Sequence, residues 1–240
     1  MASGIKGSTL AWLSSIIYES ESEFQRHCNS ASYTVVQYFD YRDTQAALVV
    51  GWANACIVFR GTEASSWNMR DIFSNVTWPY PTTWQGPGRV HSGYRRHLNY
   101  IGHEALEMAK NVGSDIPLTV TGHSLGGAIA TLFASWYFFE YPDYKLHSLV
   151  TFGAPKSVDR KAAAAISCPI NVYQVRGDFA PYWPPVIGLG NPPPALTLPP
   201  RKESDGLLQR HDVQWYVEAM KEMEQSGSKN RGGWIASEGK

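Results

Sequence analysis

The sequence has few of the features that would assign it at once to a broad class of protein. Its 240 residues include only three cysteines, Cys28, Cys56 and Cys168, which are widely spaced and odd in number. They therefore match neither a zinc site nor a disulfide framework. We expect mostly buried thiols, with a single disulfide as the alternative. The formal net charge is zero, whereas a protein that binds nucleic acid needs a basic excess, so we expect no nucleic-acid partner.

Long apolar runs are also missing. The longest apolar stretch, residues 128–139, has 12 residues and is interrupted by Thr131 and Ser135, whereas a bilayer span needs about 20. The N-terminus lacks the basic and then apolar run of a signal peptide. We therefore expect a soluble chain with no transmembrane segment, either cytoplasmic or secreted with its signal removed, and the sequence does not choose between these locations.

The composition instead fits a folded domain. Hydrophobic residues make up 43% of the chain, which is too many for a disordered protein. The length suits one α/β domain, so we expect residues 1–240 to form a single domain. Residues 226–240 are rich in glycine, serine and charge, and they are predicted to be a flexible tail.

Hydrophobic periodicity predicts a mixed α/β fold. Helical spacing occurs over residues 8–25, 94–112, 124–139, 160–166 and 211–223, and strand patterns over 33–39, 45–52, 56–59, 117–121, 146–152 and 170–175. The first strands favour antiparallel pairing, and the later alternation predicts a mostly parallel central sheet with helices on both faces. Residues 62–89 and 181–210 interrupt this rhythm, and loops of such length are usually functional or disordered.

A G-x-S-x-G motif at residues 122–126 is the strongest chemical signal in the chain. It lies between a predicted strand and an apolar helix, which is the context of a nucleophile elbow. Gly122 and Gly126 allow the backbone to approach closely, so that the Ser124 hydroxyl projects from the edge of the sheet. The N–H of Leu125, directly after the nucleophile, is then predicted to be one donor of an oxyanion hole.

A serine nucleophile needs a base and an acid, which follow it along the chain in this type of fold. Only His147 and His211 follow Ser124; His147 falls inside a predicted strand, so His211 is the candidate base. Asp178 comes three residues after the strand at 170–175, at the sheet edge where ligands bind in open α/β folds. Asp159 is better interpreted as a helix N-cap.

Several motifs in order resemble those of the class 3 (fungal-type) lipases, a family of the α/β-hydrolase superfamily. They are Phe59-Arg60-Gly61-Thr62, Val90-His91-Ser92-Gly93-Tyr94, Gly122-His123-Ser124-Leu125-Gly126-Gly127-Ala128, Thr151-Phe152-Gly153-Ala154-Pro155, Asp178-Phe179-Ala180-Pro181 with Trp183-Pro184-Pro185, and His211-Asp212-Val213-Gln214-Trp215-Tyr216. The resemblance covers most of the chain and implies an α/β-hydrolase fold. It implies a serine ester hydrolase, most of all a lipase acting on acylglycerols at an oil–water interface, with no cofactor and no metal.

The resemblance also assigns roles. It implies the triad Ser124, Asp178 and His211, a second oxyanion donor at Thr62, and Asp71 as the residue that fixes the Thr62 side chain. His123 is a supporting residue without assigned chemistry. Residues 63–88 correspond to a mobile lid, the alternative being a fixed surface helix with ordinary core aromatics.

The motifs leave related activities open. Feruloyl esterases, other carboxylesterases and phospholipases A1 share them, and the shape of the acyl pocket is not readable from the sequence. A non-catalytic protein of the same fold that binds lipid or a partner is a remote alternative, because all expected triad residues are present. A metal-dependent hydrolase is disfavoured, since the chain has no His-x-x-x-His motif or clustered carboxylates.

Overall fold

A computed structural model describes residues 4–61, 81–112 and 116–226 of the chain. The predicted oxyanion donor Thr62, its neighbour Asp71 and most of the predicted lid segment lie outside the described residues. The predicted tail lies outside them as well, except for residue 226.

The described chain is built around a seven-stranded sheet. In chain order its strands are β1 (Thr34–Tyr41), β2 (Thr44–Val50), β3 (Ala55–Phe59), β6 (Leu118–His123), β7 (Ser148–Phe152), β8 (Ile170–Val175) and β9 (Ala195–Leu198). They also lie in this spatial order, with antiparallel pairing from β1 to β3 and parallel pairing from β3 onward. The short strands β4 (Pro81–Thr82) and β5 (Val90–His91) form a separate antiparallel pair. The predicted architecture of the sheet is confirmed.

Helices cover both faces of this sheet. One face carries α3 (Ser92–Asn111), α4 (Leu125–Glu140) and α5 (Arg160–Ala164). The other carries α1 (Gly7–Ile16), α2 (Glu21–Ser30) and α7 (Val213–Gln225), which the short helix α6 (Leu207–Arg210) precedes. Alternate strand residues serve the two sides: Ile57 of β3 belongs to the first core and Val58 to the second.

Helix α4 is apolar on all sides because it is buried on all sides. Every residue from Gly126 to Phe138 is buried, and the helix packs against β3, β6, β7 and α3. A helix that is hydrophobic all round belongs in a core. This burial fixes the position of the helix N-terminus, where the nucleophile motif lies.

Three details differ from the sequence prediction. The single helix expected over residues 8–25 is two helices, because the Ser20 hydroxyl accepts the Glu23 N–H and begins α2. Strand β9 lies within the proline-rich segment that we interpreted as a loop. Strand β7 begins at Ser148, so His147 precedes the strand rather than lying within it.

All three cysteines are free, so the alternative of a disulfide is wrong. Cys28 and Cys56 are buried as expected, and Cys168 is half-buried. Burial raises the pKa of Cys28 and of Cys168 to about 12. Among the described residues, no helix combines the length and the hydrophobicity that crossing a bilayer requires.

Candidate active site

Ser124 occupies a sharp turn between β6 and α4. Its backbone has φ 55° and ψ −128°, in a region that residues with a side chain rarely adopt. A Cβ on Gly122 would overlap the backbone of Gly126, so the turn closes only with glycine at that position. The Ser124 N–H donates to the carbonyl of Phe152 at 2.9 Å. Such local strain is typical of a nucleophile elbow.

His211 lies within hydrogen-bond distance of this serine. It occupies the loop between α6 and α7 and is 2% exposed. The Ser124 Oγ is 2.8 Å from Nε2 of His211. An imidazole that carries its single proton on Nδ1 accepts the hydroxyl hydrogen at Nε2. This distance falls within the range that a general base requires.

Asp178 completes the line of hydrogen bonds on the far side of the imidazole. Nδ1 of His211 lies 2.9 Å from Oδ2 and 3.0 Å from Oδ1 of the Asp178 carboxylate. The carboxylate is fully buried and also accepts the Ala180 N–H at 2.9 Å. Asp159, the competing aspartate, caps α5 through the Ala162 N–H, as the sequence predicted. The structure thus brings together the three residues predicted as a triad.

Tyr216 is a partner of this carboxylate to which the sequence analysis assigned no role. Its hydroxyl donates to Oδ2 of Asp178 at 2.6 Å and accepts the Val175 N–H at 3.1 Å. Burial and the negative charge of Asp178 hold the pKa of Tyr216 well above its usual value, so the phenol stays a donor. Two features of the sequence could have indicated this role: a tyrosine can donate a hydrogen bond, and Tyr216 lies at the start of α7, close after His211.

His123 packs beneath the site and has two hydrogen-bond partners of its own. Its Nε2 lies 2.9 Å from the backbone carbonyl of His211, and its Nδ1 lies 3.0 Å from the hydroxyl of Tyr18. The rings of His123 and His211 are 4.7 Å apart between centroids. Burial, together with the charge that His211 can carry, lowers the pKa of His123 well below its usual value.

One of the two predicted oxyanion donors, Leu125, lies at this turn. Leu125 is the first residue of α4, where backbone N–H groups have no partner within the helix. The chain leaving β3 passes directly beside this turn, since a Cβ on Gly126 would overlap the carbonyl of Phe59. Thr62 follows Gly61, the last described residue of that loop, and is itself outside the described residues.

Contrary to the sequence prediction of no clustered carboxylates, the described residues include a cluster with metal-ligand spacing, formed by Glu19, Glu23 and His27. Nε2 of His27 is 3.2 Å from Glu19, and Glu23 also pairs with Arg26. These groups are partly or fully exposed. Exposed acidic groups of this kind are common in proteins that bind no ion there.

A family model described as "Lipase (class 3)" matches residues 56–187. Among solved structures, a Rhizomucor miehei lipase in complex with its propeptide superimposes with a TM-score of 0.66 at 21% identity, covering 80% of this chain and 67% of that one. A triacylglycerol lipase whose catalytic centre is formed by a serine protease triad gives 0.66 at 22% identity, covering 82% and 80%. The lipase of Rhizopus microsporus var. chinensis gives 0.62 at 18% identity, covering 82% and 72%.

Proposed function

Because the chain belongs to the class 3 lipase family, we propose that it is a serine carboxylic-ester hydrolase that cleaves acylglycerols, triacylglycerols above all. One observation carries this proposal: a continuous, buried line of hydrogen bonds from Ser124 through His211 to Asp178. A serine alcohol is a weak nucleophile, and it becomes reactive when an adjacent base can take its proton.

The chemistry follows from that line. Ser124 attacks the ester carbonyl while Nε2 of His211 takes its proton, and Asp178 stabilises the imidazolium and holds its orientation. The Leu125 N–H and Thr62 stabilise the tetrahedral oxyanion. His211 then returns the proton to the leaving alcohol, which leaves an acyl group on Ser124. Water attacks this acyl-enzyme with His211 again as base and releases the fatty acid.

The choice of acylglycerols rests on family membership and on charge. One structural neighbour is a triacylglycerol lipase, and a chain with no net charge suits a neutral ester better than a polyanion. Residues 63–80, the larger part of the proposed lid, follow the proposed oxyanion residue, where a lid would control access of an aggregated lipid. Other carboxylic esters, feruloyl esters and phospholipids are the competing substrates of the same triad.

The nucleophile is tested by Ser124→Ala. We expect this variant to fold, to lose ester hydrolysis by about a thousandfold or more, and to resist labelling by a fluorophosphonate, which reacts only with an activated serine. Ser157→Ala is the matched control, since Ser157 is buried as Ser124 is, at 0% against 3% exposed. It should label and hydrolyse normally. Hydrolysis retained by Ser124→Ala would rule out the mechanism, and an unlabelled wild type would favour a non-catalytic lipid-binding protein.

The substrate class is tested with a panel of esters. Triacylglycerols of increasing chain length, a phospholipid and a feruloyl ester are compared by kcat/KM, each below and above its solubility limit. We expect the highest values for triacylglycerols and a step at the solubility limit. Preference for the feruloyl ester or the phospholipid would reassign the substrate while leaving the triad in place.

A further inference from the structure

His123 is a buried titratable group, 5% exposed, that the mechanism above does not use. Both of its ring nitrogens have partners: Nε2 meets the backbone carbonyl of His211, and Nδ1 meets the hydroxyl of Tyr18. A carbonyl oxygen only accepts hydrogen bonds, so Nε2 must carry the proton. In the neutral ring Nδ1 is then an acceptor, and Tyr18 is its donor. The two contacts together select a single tautomer.

The contact to His211 acts on the backbone rather than on the ring of the base. His211 lies on a loop between two helices, and loops are the more mobile parts of a fold. The hydrogen bond from His123 fixes the peptide of the residue that carries the base, while Asp178 fixes its ring. Because His123 directly precedes Ser124, the same residue links the nucleophile turn to the loop of the base.

Tyr18 extends this connection to the loop after β3. A Cβ on Gly61 would overlap the Tyr18 hydroxyl and would lie 2.6 Å from the carbonyl of His123. The guanidinium of Arg60 also lies over the Tyr18 ring, 5.7 Å from its centroid. Tyr18 and His123 therefore contact three of the backbone segments that meet at the site: the nucleophile turn, the loop of His211 and the loop after β3.

We propose that His123 and Tyr18 are positioning residues: His123, in the Nε2–H tautomer imposed by Tyr18, holds the backbone of His211 so that its ring meets Ser124. This inference rests on the proposed function only in assigning His211 as the base. Since His123 makes its hydrogen bond to the backbone of His211 and not to its ring nitrogens, its effect reaches the reaction through the placement of His211. A displacement of about 1 Å in a catalytic group can lower the rate about a hundredfold.

The test compares His123→Phe, His123→Gln, Tyr18→Phe and the double variant Tyr18→Phe/His123→Phe. We expect His123→Phe to lower kcat about 10- to 100-fold with little change in KM, because binding of the ester is untouched. In His123→Gln the side-chain amide can still donate to the His211 carbonyl, so most of kcat should return. Tyr18→Phe should cost less, and it should add little in the His123→Phe background, since the two residues act through one contact.

His97 provides the matched control. Its Nδ1 also bonds a side-chain hydroxyl, that of Thr44 at 2.8 Å, and it joins α3 to β2. His97→Phe and His97→Gln should leave kcat unchanged. Equal losses in His123→Phe and His123→Gln, or fully additive effects of the two single variants, would mean that His123 only fills space, and would overturn the proposal.

A second measurement does not depend on activity. In the wild type, ¹⁵N NMR of the histidine rings should find His123 as the Nε2–H tautomer at pH 7, and an Nδ1–H form would overturn the proposal. The ring signals of His211 should shift in His123→Phe and not in His97→Phe. If the wild type neither hydrolyses esters nor reacts with a fluorophosphonate, the proposed function fails, and the NMR result alone decides the placement of His211.

Discussion

Gly153 leaves space for the side chains of the proposed triad. A Cβ at this position would lie 2.9 Å from both Oδ2 of Asp178 and the Tyr216 hydroxyl, and 3.1 Å from Cε1 of His211. The residue also has φ 57°, where a side chain meets the backbone. Glycine is therefore required here for two independent reasons, one conformational and one steric.

Gly153→Ala should reduce both stability and activity. The left-handed backbone alone costs about 1–2 kcal/mol in the free energy of unfolding. The added methyl group would displace the acid from the base and lower kcat. Urea unfolding and ester hydrolysis measure the two effects. Gly190→Ala is the control, because a Cβ at Gly190 meets open space. Wild-type kcat in Gly153→Ala would contradict the tight packing described here.

The sequence predicts some of these residues better than others. Ser124 is identified by its motif, and chain order then leaves His211 as base and favours Asp178 as acid. These residues lie at strand ends and turns, and such positions can be recognised from short stretches of sequence. Tyr18 and His123 are 105 residues apart in the sequence and meet only in the folded chain. The sequence around Tyr18 gives no indication of this contact.

At the scale of elements, the break between α1 and α2 determines where Tyr18 lies. The Ser20 hydroxyl accepts the Glu23 N–H at 3.3 Å and begins α2. The Ser-x-x-Glu spacing of a capping box was visible in the sequence, but hydrophobic periodicity runs through it. In a continuous helix Tyr18 would be a helical residue. Because the helix is broken, Tyr18 lies in the loop between α1 and α2, next to His123.

Ser20→Ala should lower the free energy of unfolding by about 1 kcal/mol, because an N-cap hydroxyl is lost. Equilibrium unfolding in urea measures this change. Ser30→Ala, at the last residue of α2, is the control, since its hydroxyl only bonds the Arg26 carbonyl within the helix. We expect that control to change stability by less than about 0.5 kcal/mol. Equal effects of the two substitutions would show that the capping bond contributes nothing.

Strand β9 shows where periodicity fails as a guide. It has four residues, Ala195–Leu198, with prolines on both sides, and within the described sheet it pairs with β8 at the edge. Proline lacks the N–H that a central strand needs but is tolerated beside an edge strand. A segment this short shows no clear alternation of apolar and polar residues. Its pairing depends on the rest of the parallel sheet, which the sequence of the segment does not reveal.

Over the whole molecule, buried neutral histidines make stability depend on pH. His91 is 1% exposed, and its Nδ1 caps α3 by accepting the N–H groups of Gly93 and Tyr94. Burial lowers the pKa of His91 to about 4. Below its unfolded pKa, near 6.5, the unfolded chain binds the proton while the folded chain does not. Stability is therefore lost as the pH falls from about 6.5 to about 4.

His91→Asn should make the free energy of unfolding depend less on pH between about 6.5 and 4. Asparagine is a good N-cap and does not titrate, so the capping bond stays and the linked proton is removed. Between pH 6.5 and 4 the wild type should lose up to about 3 kcal/mol more of its free energy of unfolding than the variant. Urea unfolding at several pH values measures the difference. If the free energy of unfolding changed equally with pH in the wild type and in His91→Asn, the expectation would be wrong. Burial also lowers the pKa values of His97 and His123. The stability of both proteins should therefore still fall somewhat as the pH falls.

The separation of Ser124 from His211 along the chain has a consequence for protein synthesis. The two residues are 87 positions apart, and β7, β8 and β9 lie between them. Ribosomes add about 5–20 residues per second, so the nucleophile is made several seconds before its base. During that interval the proposed nucleophile lacks the base that the proposed mechanism requires, so the unfinished chain cannot carry out that reaction.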